Sequence, residues 1–230
     1  MGSALLWGAV SGSAVLIGAL LALLLRIPAK VTGFVMAFGT GVLIGAAAYE
    51  LLEDSAADGG LTPTIIGFTA GALVFTVFDW LISRKEENGG GLAIFAGTVL
   101  DAIPESIMIG ASLIAGQGVS VLLVIAIFIS NIPEGLSSTA GLKEDGYSKS
   151  KIMLLWLGVL VISTLASGGG YLFMDHAGGF TKALIASFAG GGIIAMVSSS
   201  MMPEAYKDSG PLTGFIAAMG LLCSLILDQL

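Results

Sequence analysis

The chain has 230 residues, 56% hydrophobic and only 11% charged, with a mean hydropathy of +0.98. Soluble domains carry about 25% charged residues, so this composition excludes an ordinary water-soluble domain and points to a polytopic membrane protein. The net charge of -7 and the lack of any basic cluster argue against a nucleic-acid partner.

Apolar runs separated by polar or Gly/Pro punctuation predict eight helices, near residues 4–25, 33–53, 62–82, 92–115, 119–141, 151–174, 180–203 and 211–229. The expected fold class is therefore an all-α polytopic membrane protein of eight transmembrane helices, a single transmembrane domain over residues 1–230. Arg26-Ile27-Pro28-Ala29-Lys30 ends the first helix, and residues 54–60 separate the second from the third. Arg84-Lys85-Glu86-Glu87-Asn88 precedes the fourth, and Gly116-Gln117-Gly118 forms a tight link to the fifth. Lys143 to Lys151 is the longest polar loop, and Asp175-His176-Ala177-Gly178-Gly179 divides the sixth helix from the seventh.

The first basic residue, Arg26, follows the first apolar run, the reverse of a cleavable signal peptide. That run is expected to be retained as a span. Basic residues then set the orientation. Arg26, Lys30, Arg84, Lys85, Lys143, Lys149, Lys151 and Lys207 fall in loops on one side, and only Lys182 falls on the other. This bias places the first set in the cytoplasm and both termini outside it. Cys223 is the one cysteine, so no intrachain disulfide forms. The motifs Gly8-x-x-x-Gly12, Gly41-x-x-x-Gly45 and Gly67-x-x-x-Gly71 predict close helix contacts without naming the partners.

Two stretches inside the fourth and fifth apolar runs share one pattern: Asp101-Ala102-Ile103-Pro104-Glu105 and Ser130-Asn131-Ile132-Pro133-Glu134. Residues i and i+4 share a helix face, so Asp101 stacks with Glu105 and Ser130 with Glu134. Each proline deprives the carbonyl four residues earlier, Leu100 or Ile129, of its N–H partner. Asp101 and Glu105 lie about nine and thirteen residues into their helix, which puts them near the bilayer middle. A carboxylate there costs on the order of 3 kcal/mol. No Lys or Arg lies in these spans, so protons or a bound cation must neutralise the acids.

A second, weaker repeat pairs Phe38-Gly39-Thr40-Gly41 through Glu50 to Asp54 with Phe188-Ala189-Gly190-Gly191 through Ser200 to Glu204. The two copies run in opposite directions. Inverted repeats flanking broken helices place a site at the midplane in many secondary transporters. Helices 1–3 and 6–8 are thus expected to form an inverted repeat around helices 4 and 5.

At these residues the chain resembles the ZIP (Zrt/Irt-like) divalent-metal transporters, whose helix 4 and helix 5 motifs are typically His-Asn-x-Pro-Glu-Gly. Ser130-Asn131-Ile132-Pro133-Glu134-Gly135 departs from that form only at its first residue. Asp101-Ala102-Ile103-Pro104-Glu105 keeps Pro-Glu but lacks His and Asn. Met202-Pro203-Glu204-Ala205 is similar to the end of the family's helix 7, and eight spans with external termini match its topology. The resemblance implies a secondary transporter of the cell membrane, not an enzyme, bringing divalent cations into the cytoplasm. Asp101, Glu105, Ser130 and Glu134 would surround the transported metal (Zn, Mn, Fe or Cd), with Asn131 beside it and no resident cofactor. The partners it implies are divalent metal ions and the lipid bilayer. A homodimer is left open. Ala102, and by a loose alignment Ser167, stand where many members have ligands of a second metal site, so that site is expected to be absent. The sole histidine, His176, falls in an outer loop.

Each residue also has a plainer reading. Glu105 and Glu134 as protonated carboxyls bonded between helices leave the repetition of the motif unexplained. Asp101 also reads as a packing acid, and an intramembrane Ser130 commonly bonds its own backbone. Glu50, Asp54 and Glu204 read equally as solvated helix ends or as lining of a cation pathway. Asp79 reads as solvated, and Met196, Met201 and Met202 as packing. The competing functions are an intramembrane acid-dependent enzyme and a proton-coupled carrier of organic solutes. The first lacks a His-Glu-x-x-His, and the second an intramembrane Arg or Lys.

Overall fold

The computed structural model describes residues 1–86, 91–113, 120–175 and 177–229; the side chains of 82–86, 91–94, 100 and 101 are outside that description. The link at Gly116-Gln117-Gly118, the loop residues Glu87 and Asn88, and His176 therefore lie outside the described residues. All regular structure among the described residues is helical. In lipid a segment must satisfy its own backbone, which a helix does without a partner.

The elements are α1 (Gly2–Leu24), α2 (Ala29–Ala46), α3 (Asp54–Gly59), α4 (Leu61–Glu86), α5 (Gly91–Ser112), α6 (Val121–Glu144), α7 (Lys149–Asp175), α8 (Gly179–Met196), α9 (Met202–Ser209) and α10 (Leu212–Asp228). A π-helical stretch, Ala47–Glu53, joins α2 to α3, and another, Val197–Met201, joins α8 to α9. Among the described residues six helices are long and apolar enough to cross a membrane: α1, α2 through α3, α4, α6, α7, and α8 through α9. α10 is apolar but shorter, and α5 is described only in part. The second and seventh expected helices run on past residues 53 and 203, because a π turn continues the helix where polar residues had marked an end.

The glycine motifs find their partners in the bundle. A Cβ at Gly8 or Gly12 would strike Ser167 or Ser163 of α7, and one at Gly41 or Gly45 would strike Ala217 or Ser224 of α10. Gly67 and Gly71 meet Leu184 and Phe188 of α8 in the same way. Gly18 of α1 abuts Ile132, and Gly135 of α6 abuts Val15, so α1 and α6 cross backbone against backbone. Dispersion and close approach, not water exclusion, drive such packing in lipid. Gly33 at the start of α2 meets Asp208 of α9, while Gly59 at the end of α3 meets Ala183 of α8. The α2–α3 and α8–α9 helices therefore lie antiparallel. Gly60 and Gly210 close the two helices with φ of 87° and 69°, a region a glycine enters freely. The interval from Ala47 to Val197 equals that from Gly60 to Gly210.

The core has two parts. One gathers Met36, Leu43, Ile109, Leu123, Ile127 and Met196 between α2, α5, α6 and α8. The other gathers Val15, Ala102, Leu142, Trp156 and Val159 between α1, α5, α6 and α7. Trp156 donates its indole N–H to Thr139 at 2.8 Å and stacks edge-on against Phe95 at 5.1 Å. At the end of α6, Lys143 donates to the Ala22 carbonyl at 3.1 Å, supplying the basic partner that the last turn of α1 lacks.

Candidate metal site

Pro104 and Pro133 stand inside α5 and α6. Each interrupts the ladder one turn back and frees a carbonyl there, just where the chain delivers a glutamate. Glu105 is 2% exposed and Glu134 is half-buried. Both line one cavity of about 1080 Å³, bounded by α4, α5, α6, α8 and the Val197–Met201 turn.

From the two glutamates the cavity wall is polar toward one end of the bundle. Thr98 and Ser138, both buried, share a hydrogen bond of 2.8 Å between α5 and α6. Ser137 donates to Glu204 at 2.5 Å, and Ser200 donates to Asp79 at 3.3 Å. Asp208 and solvent-exposed Lys207 also line the cavity. The rest of the wall is apolar: Phe75, Phe78, Phe188 and Ile193, with Met36, Met196 and Met201. Carboxylates on low-dielectric walls concentrate their field on the space between them and draw cations in. Every polar group at the glutamates' end of this wall is an oxygen. Such a donor set suits hard divalent cations.

The expected site residues fall into distinct places. Glu105, Glu134 and Glu204 share the cavity. Ser130 is fully buried, donates its hydroxyl to the Ile127 carbonyl at 3.0 Å, and packs on Gly39 of α2. Asn131 is buried as well, and neither residue lines the cavity. Asp101 belongs to α5, and its side chain lies outside the described residues. Glu50 and Asp54 sit at the opposite end of the bundle and do not line the cavity. Among the described residues no three His, Cys, Asp or Glu side chains converge on a metal-sized point.

Four wall residues carried no motif. Asp79, expected to be solvated, lines the cavity and accepts from Ser200. Thr98, Ser137 and Ser138 were legible only by helical spacing, since Ser137 and Ser138 follow Glu134 by one turn and Thr98 precedes Glu105 by two. Ala102 packs with Val159 and Trp156, and Ser167 donates to the Ala4 carbonyl at 2.8 Å. Neither position expected to have lost a second site opens on the cavity.

No family model matches the chain. It is similar to zinc transporter SLC39A7 of Mus musculus, 29% identical over 61% of this chain and 32% of that protein. The same transporter of Homo sapiens is 29% identical over 63% of this chain and 33% of its own length. A putative zinc transporter of Arabidopsis thaliana is 28% identical over 78% of this chain and 30% of its own. The chain thus spans about a third of the length of the curated relatives it matches. The likeness to ZIP transporters drawn from the Pro-Glu stretches is borne out by these relatives, which are named as transporters and not as enzymes.

Proposed function

We propose that this chain is a ZIP-type secondary transporter that carries divalent cations across a membrane into the cytoplasm. The observation that carries the reading is the presence of Glu105 and Glu134, each beside a proline within its helix, on the wall of one cavity. Zinc-transporting relatives support metal as the cargo. The cation exchanges several hydration waters for the two carboxylates and a carbonyl freed by proline, with Asp101 completing the shell. It leaves along the Ser137–Glu204 and Ser200–Asp79 wall. The oxygen set admits Mn²⁺ and Fe²⁺ beside Zn²⁺, because zinc favours nitrogen and sulfur ligands. The metal is cargo, and the chemistry asks for no resident cofactor.

The architecture in this reading is one domain of eight spans, residues 1–230, with α5 and α10 as the fourth and eighth. Helices 1–3 and 6–8 form the inverted repeat. The matched positions of the two π-helical turns and of Gly60 and Gly210 support it. Both termini face away from the cytoplasm, as the basic bias requires, and the cell membrane is the proposed location.

The test is purified protein in liposomes holding a metal-sensing dye, with metal added outside. Glu105→Ala and Glu134→Ala are each expected to abolish dye response while leaving monodisperse protein. Near-normal flux in either variant refutes the site.

A further inference from the structure

Pro104 and Pro133 lie inside α5 and α6, and each lacks the N–H that would bond the carbonyl one turn back, just ahead of its glutamate. A ladder short of one bond resists bending less. The gap between Glu105 and Glu134 therefore depends on what ties α5 to α6. Hydrogen bonds do so on either side of the glutamates. The N–H of Ser120, the residue before α6, donates to the hydroxyl of Ser112, the last residue of α5, at 3.2 Å. Nearer the opposite ends, Thr98 and Ser138 share their hydrogen bond of 2.8 Å. The two helices thus run antiparallel, with both Pro-Glu pairs between the ties.

Thr98 precedes Glu105 by seven residues and Ser138 follows Glu134 by four, spacings that keep each hydroxyl on the face of its glutamate. The bond lies about 10 Å along α5 from Glu105 and about 6 Å along α6 from Glu134. All four side chains border the cavity, so the bond belongs to the wall of the site and not to a remote core. Helical hydroxyls elsewhere, such as Thr76 and Thr164, bond the carbonyl one turn back and join no helices. The Thr98–Ser138 bond crosses from one helix to the other, and both residues are buried.

We propose that the Thr98–Ser138 hydrogen bond is a positioning device that sets the gap between Glu105 and Glu134, and through it the size of cation the pair accepts. The inference rests on the transport reading and names what makes its site selective. Ca²⁺ takes oxygen ligands at about 2.3–2.6 Å in flexible geometry, longer than the about 2.0–2.2 Å of smaller divalent cations. Selection between them follows the width and stiffness of the ligand set. Carboxylates pinned within two turns of a cross-helix bond favour the smaller ion. Carboxylates free to spread give that advantage up.

The test uses the purified full chain in detergent, with Mn²⁺ as probe and Ca²⁺ as competitor. Bound Mn²⁺ is read as loss of the free-ion EPR signal, and site binding is the part that Glu105→Ala abolishes. Thr98→Val with Ser138→Ala removes donor and acceptor together at nearly constant shape, which costs little stability. Its Mn²⁺ affinity is expected to fall about tenfold, the upper end of what one hydrogen bond is worth. Its Ca²⁺ affinity stays within twofold, so the preference for Mn²⁺ falls about tenfold. Thr98→Ser keeps the hydroxyl and stays within twofold of the parent for both ions.

A Cys223→Ser chain carrying Thr98→Cys and Ser138→Cys separates positioning from direct ligation. Side-chain atoms 2.8 Å apart are within disulfide reach, and the oxidised pair holds the helices together without a hydroxyl. That form is expected to keep the parental preference. A parental preference in the Thr98→Val, Ser138→Ala chain overturns the inference. So does failure of the two cysteines to cross-link, or an oxidised form as unselective as the hydroxyl-free chain, which means that the hydroxyls touch the ion. Each of these results leaves metal flux in the parent intact. A parent with no site binding of Mn²⁺ and no flux in liposomes overturns the transport reading, and this inference with it.

Discussion

Gly39 of α2 faces α6 where the helix carries Ser130, one turn ahead of Glu134. A Cβ at Gly39 would stand 3.1 Å from the Ser130 Cα, 3.3 Å from its N and 3.5 Å from its Cβ. Carbon atoms rest at about 3.5–4.0 Å, so Gly39→Ala asks α2 and α6 to part by roughly half an ångström. Overpacking of this kind costs about 1–3 kcal/mol, and one methyl with little displacement belongs at the low end. For a chain of this size each kcal/mol lowers the melting temperature by roughly 2–4 °C. A misplacement of 1 Å at a reacting group can cost about a hundredfold, so half that shift in Glu134 is expected to lower metal flux by roughly tenfold. Gly39→Leu drives three further carbons into the same contact and is expected to abolish flux and lose several degrees. The assay is thermal unfolding of purified protein beside dye-loaded liposomes. Gly158→Ala, where a Cβ meets nothing within 4 Å, serves as control and should match the parent in both. Parental stability and flux in Gly39→Leu would refute the idea that the α2–α6 approach positions the site.

Thr139→Val leaves the buried Trp156 N–H without its 2.8 Å acceptor, which costs about 1–3 kcal/mol and should appear as a melting temperature roughly 2–12 °C lower. In competitive uptake, Mn²⁺ is expected to inhibit Zn²⁺ entry at comparable concentration, and Asp101→His with Ala102→Asn should shift preference toward Zn²⁺ by supplying nitrogen. If Mn²⁺ at about a hundredfold excess leaves Zn²⁺ uptake untouched, the argument from hard oxygen ligands fails. A cysteine at Gly146, in the Lys143–Lys151 loop of a Cys223→Ser chain, should resist an impermeant thiol reagent in intact cells. Ready labelling there reverses the orientation read from the basic residues.

Composition and periodicity by themselves determined that the chain is helical and made for a membrane, and the proline-glutamate pairs marked where two helices each set a glutamate on the cavity wall. These features are local: a proline removes its hydrogen bond whatever surrounds it, and an apolar run of spanning length is helical wherever water is absent. The sequence also marked Gly8, Gly41 and Gly67 as contact points, yet helical spacing fixes a face without naming what meets it. Only the tertiary structure set Gly8 against α7, Gly41 against α10 and Gly67 against α8. Ser130 and Glu134 share a helix face by their spacing, but the bundle turns Ser130 onto Gly39 and its own backbone while Glu134 borders the cavity. Asp79 looked like a solvated end until α8 continued through a π turn and brought Ser200 to it. Those outcomes depend on residues more than ninety positions apart meeting across helices, and on a ladder that gains a residue per turn where neither proline nor glycine announces it.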